Sequence, residues 1–103
     1  MYAVIHSTTR QMNRTAQRPS VIAKSDYKSS IVRTLCDRIS ESLASGARVF
    51  ARIPGEGELE ILPANNFYAI VSAIDRGCLH ISVDLPGTAD CMSYREHFVI
   101  EEI

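Results

Sequence analysis

Between Ser30 and Ser45, the residues Ile31, Leu35, Ile39 and Leu43 recur every fourth position, with Val32 and Cys36 beside them. A four-residue apolar rhythm lines up one stripe of side chains along a helix. Ser29 or Ser30 offers a hydroxyl to cap the free amides at its start, and Gly46 offers a left-handed stop at its end. Immediately afterwards the period drops to two. Val49, Ala51 and Ile53 alternate with Arg48, Phe50 and Arg52, and Leu59 and Ile61 alternate with Glu58 and Glu60 across Pro54-Gly55-Glu56-Gly57. That pattern predicts a hairpin with one apolar face, whose polar face sets two arginines opposite two glutamates. A one-sided helix and a one-sided hairpin must bury their apolar sides together.

Two further elements extend the pattern. Phe67, Ile70, Val71 and Ile74 fall at helical spacing, behind a possible Asn65 or Asn66 cap and ahead of Arg76 and Gly77. Read as a strand, the same residues would leave neither face polar, so a short helix is predicted. Leu79, Ile81, Val83 and Leu85 then alternate with Cys78, His80, Ser82 and Asp84 up to Pro86-Gly87, the signature of a half-buried strand. Tyr2 to His6 reads as an initial strand. Residues 7–29 read as a basic loop or arm, and residues 88–103 fit either a short helix or a loop leading to a strand at His97–Ile100. The expected class is α+β, an open-faced sandwich of βαββαβ order with two helices on one face of an antiparallel sheet.

A chain of 103 residues can build one continuous core, so a single domain over 1–103 is expected. Its 46% hydrophobic and 22% charged residues place it among ordinary globular chains rather than disordered ones. The first residues lack a basic leader, and the chain lacks an apolar run of about 18 residues, which favours a cytoplasmic protein with no membrane association. Cys36, Cys78 and Cys91 form an odd set without a Cys-x-x-Cys pair, as expected for reduced thiols rather than a disulfide framework.

Charge is divided along the chain. Residues 1–35 carry six cations (Arg10, Arg14, Arg18, Lys24, Lys28 and Arg33) against one anion, and the remainder carries five cations against eleven anions. Either the basic third meets an acidic partner, or it neutralises the rest of its own domain. Arg10, Arg14 and Arg18 recur every four residues, with Lys24 and Lys28 continuing the rhythm. If the arm became helical on binding, the five would form one cationic stripe.

The stretch GELEILPANNFYAIVSAIDRGCLHISVDLPG resembles the family of histidine-containing phosphocarrier proteins, over about residues 30–99. In that family a histidine, one residue and then Arg-Pro hold a phosphoryl group at a helix start. Arg18 and Pro19 supply the last pair, but Ala16 stands in place of the histidine, so the resemblance implies a relative without phosphotransfer. It also puts Phe67 and Ile70 where that family exposes apolar residues to partner proteins, with core packing as the alternative.

Other chemistry finds little pattern. His6, His80 and His97 are scattered. Cys78, His80 and Asp84 would share a strand face, with Cys91 a few residues further on, yet four ligands at zinc-site spacing are missing, and an ordinary polar face is the expectation. Gly55 and Gly57 flank a turn with no helix after it, unlike a phosphate loop. The sequence therefore points first to a small, cofactor-free, non-enzymatic regulator or inhibitor. It would bind an acidic protein surface through Arg10, Arg14, Arg18, Lys24 and Lys28 and through Phe67 and Ile70. A nucleic-acid-binding accessory protein using the basic arm is the alternative, and a small enzyme such as a ribonuclease comes third. Oligomeric state has no signature in the sequence.

Overall fold

The computed structural model describes residues 1–10, 19–85 and 94–103. Among these residues six strands form one wholly antiparallel sheet: β1 (Tyr2–Arg10), β2 (Ser20–Ser25), β3 (Arg48–Ile53), β4 (Gly57–Ile61), β5 (His80–Leu85) and β6 (Tyr94–Glu102), in the order β2-β1-β6-β5-β3-β4. Helix α1 (Lys28–Ala44) joins β2 to β3, and α2 (Asn66–Asp75) joins β4 to β5. The chain order is thus ββαββαββ. This corrects the βαββαβ order expected from sequence: α+β character holds, but the sheet has two more strands.

Both additions arise where apolar alternation is weak. The stretch 7–29, read as an arm, contributes the outer half of β1, all of β2 and the start of α1. β-Branched Thr8, Thr9, Val21 and Ile22 suit a pleated strand without supplying an apolar stripe. The core takes Val4 from β1, with Tyr2 packed against it, so the rest of that strand can be polar. A register shift between Val4 and Ile5 further blurs the period of β2. At the other end, β6 settles residues 94–102 as strand. It is a central one, pairing β1 on one edge and β5 on the other.

The core lies between one sheet face and both helices. Ile31, Leu35 and Ile39 of α1 and Ile70, Ala73 and Ile74 of α2 meet Val49, Ala51, Ile81, Val83, Phe98 and Ile100 of the sheet. The other face, carrying Arg48, Phe50, Arg52, His80, Ser82, Asp84, Arg95 and His97, has no helix over it among the described residues. The predicted β3–β4 hairpin is present, with Phe50 opposite Glu60 and Arg52 opposite Glu58. Arg48 donates from Nε and Nη2 to the Glu60 carboxylate at 2.9 and 3.2 Å.

Local chemistry explains two departures at helix ends. Helix α1 begins at Lys28, with Tyr27 as its N-cap and no side-chain cap bond, so neither Ser29 nor Ser30 caps it. Both helices stop where predicted. Gly77 takes φ +94°, its N–H bonds to Ile74 O, and the Cys78 N–H reaches back to Ala73 O at 2.9 Å. This paired closure satisfies carbonyls that the helix would leave bare. It also turns Cys78 into the core and leaves Leu79 56% exposed, the reverse of the alternation read from sequence.

Candidate functional site

On the helix side, α1 and α2 run close enough to leave a groove between them. Lys28, Ser29, Val32 and Arg33 line one wall, and Phe67, Val71, Ile74 and Asp75 line the other, around a hollow of about 610 Å³. Its floor is apolar because both helices present the edge of their apolar stripe there. Phe67 is 53% exposed and stands edge-on to Tyr68, which is 78% exposed. Surface aromatics of this size beside an apolar hollow are the kind of anchor that protein interfaces use.

The residues singled out from sequence separate in space. Phe67 and Lys28 line the groove, whereas Ile70, three residues along, is fully buried. For Ile70 the core alternative therefore applies. Lys24 lies exposed on β2, Lys28 opens α1 and Arg10 ends β1. Lys24 and Lys28 consequently do not share a helical stripe. Arg14 and Arg18 lie outside the described residues, as do Ala16 and Cys91. Arg33, on α1, joins Lys28 at the groove. The described ion pairs engage Arg48, Arg76 and Arg95. Among the described residues no ion pair takes up Lys24, Lys28 or Arg33.

The open sheet face holds a second constellation. His97 of β6 sits between Thr9 of β1 and His80 of β5. Its Nε2 is 3.2 Å from the Thr9 hydroxyl, and its Nδ1 is 3.1 Å from Nε2 of His80. Ring planes only 14° apart, with centroids 5.3 Å apart, make the two imidazoles meet nitrogen to nitrogen rather than face to face. Burial holds both imidazoles below their ordinary pKa. For His80 the next cause is Arg52; for His97 it is His80 itself, then Arg95. Arg95 lies directly opposite Thr9 in the β1–β6 register and is bonded through Nε and Nη2 to Asp84.

Sequence alone does not bring Thr9, His80 and His97 together, because their meeting depends on the register of β6. The imagined set of Cys78, His80 and Asp84 does not assemble either. Cys78 is buried, its thiol donates to His80 O at 3.3 Å, and desolvation raises its pKa. Among the described residues no group of three or more His, Cys, Asp or Glu side chains is placed to hold a metal ion, and no helix is long and apolar enough to cross a membrane. Comparison with protein-family models, with curated proteins and with solved structures found no match.

Proposed function

We propose that this chain is a small protein-binding regulator or inhibitor that receives its partner in the groove between α1 and α2. The supporting observation is the combination at one place of half-exposed Phe67, an apolar floor and two cations, Lys28 and Arg33, that no described ion pair engages. An acidic protein surface with one protruding apolar side chain matches that combination. The apolar group would displace water from the floor, and carboxylates would meet the cations at the rim. Binding, not bond-making, is the work of such a groove. The free buried thiols of Cys36 and Cys78 are in keeping with a cytoplasmic setting.

The nucleic-acid reading has less support. On the open sheet face Arg48 and Arg95 are already bonded to Glu60 and Asp84, and Glu58 lies opposite Arg52, so little net charge is left for phosphates. What remains is the cationic series Arg10, Arg14 and Arg18. The test is affinity capture from the native host with wild-type and Phe67→Asp chains, with and without nuclease. Phe67→Asp is expected to fold and to lose the captured protein, while nuclease changes nothing. Capture that survives Phe67→Asp, or that nuclease abolishes, refutes the groove as the contact.

A further inference from the structure

We propose that the open sheet face carries an acyl-transfer site with Thr9 as nucleophile, His97 as its base and His80 as the positioning residue behind the base. The site shares no residue with the helix groove and does not depend on it.

The order of atoms carries this inference. A hydroxyl needs a base within hydrogen-bond reach, and that base needs a third group to fix its tautomer. Here Thr9 Oγ1 faces His97 Nε2 at 3.2 Å, and the opposite nitrogen of the same ring faces His80 Nε2 at 3.1 Å. One consistent tautomer set serves the reaction: Thr9 O–H donates to His97 Nε2, and His97 Nδ1–H donates to His80 Nε2. His80 accepts at that position only when neutral, and its partly buried setting beside Arg52 favours the neutral form. All three residues stand on paired strands, not on loops, so backbone hydrogen bonding fixes their separations. Arg95 lies opposite Thr9 on the same face but is bonded through Nε and Nη2 to Asp84, so the order of Thr9, His97 and His80 itself carries the chemistry.

The substrate class that fits a partly buried hydroxyl and imidazole on an open sheet face is a small carboxylic ester with a good leaving group. Thr9 Oγ1 bonds to the ester carbonyl carbon as its proton passes to His97 Nε2. The carbon–oxygen bond to the leaving group then breaks, and the departing oxygen takes that proton. Water attacks the acyl-threonine, gives a proton to the same Nε2, and the proton returns to Thr9 Oγ1 as the carboxylic acid departs. The sum is ester plus water giving acid plus alcohol.

The probe is p-nitrophenyl acetate at neutral pH, followed by nitrophenolate release and by mass-spectrometric location of the acetyl group. Wild-type chain is expected to acetylate at Thr9. Thr9→Ser should retain turnover, and the nearly isosteric Thr9→Val should fall to the rate of free imidazole at equal concentration. His97→Gln should slow acylation by about 100-fold, the low end for a positioned base. His80→Asp should move the acid limb of the pH–rate profile to higher pH, since a carboxylate stabilises the imidazolium formed at His97, and a merely structural residue would not shift that limb. Equal release by wild type and Thr9→Val, or acetyl found on lysine or histidine but not on Thr9, overturns the proposal.

Discussion

His97 and His80 hold a single proton between two facing nitrogens, and this places a lower pH limit on the sheet. One added proton can be carried at His97 Nε2 toward Thr9. A second would set N–H against N–H across 3.1 Å. Burial, and then Arg52 for His80 and His80 for His97, depress both values, with Arg95 adding to each; Glu58 and Asp84 oppose only in part. A depressed folded-state pKa means that the unfolded chain binds more protons, so this contribution is complete above the unfolded value of about 6.5 and is lost as pH falls below it. The urea midpoint is therefore expected to drop between pH 7 and 5, and His97→Gln should flatten that slope. A wild-type midpoint constant across the range would rule the linkage out. None of this is legible residue by residue, because three distant histidines acquire neighbours only once β6 is paired and in register.

Elements with a strong period are legible, and their ends are too where a glycine is required. Helix α2 stops at Gly77 through the two bonds from Gly77 and Cys78 back into its last turn. A Cβ at Gly77 would lie 3.9 Å from the Pro54 ring, an ordinary contact, so space is not what demands glycine there. The backbone at φ +94° is. Gly77→Val should cost about 1 kcal/mol or more, lowering the melting temperature by roughly 4–8 °C for a domain of this size. Gly77→Asn should cost less, since asparagine tolerates the left-handed region. Equal melting temperatures for wild type and Gly77→Val would mean that the turn relaxes to another conformation. The β1–β2 hairpin gave no comparable signal: its serines, threonines and a register shift fit a loop as well as a strand, and only pairing along β6 fixes β1 as a strand. The groove was half legible for a related reason. Helical spacing put Phe67 and Ile70 on one α2 stripe, but which of them stays at the surface depends on where α1 lies.

Across the whole molecule, the division of charge can serve self-neutralisation or a partner, and the described ion pairs bear on the choice. Arg48, Arg76 and Arg95 are each satisfied by a carboxylate of the acidic two-thirds, whereas Lys24, Lys28 and Arg33 of the basic third enter none of these pairs. A cation that contributes no ion pair and little buried area can be removed at little cost. Lys28→Gln with Arg33→Gln should therefore change stability by no more than about 0.5 kcal/mol in a denaturant titration. Association with the partner should slow instead, and its rate should depend less on salt than in the wild type, because these two charges steer encounter at the groove rim. Phe67→Ala should act differently, leaving the association rate nearly unchanged and speeding dissociation, since an apolar anchor acts after contact. If the double substitution instead lowers stability and leaves association untouched, the basic third is balancing its own acidic domain, and the groove loses the charge complementarity that recommends an acidic partner.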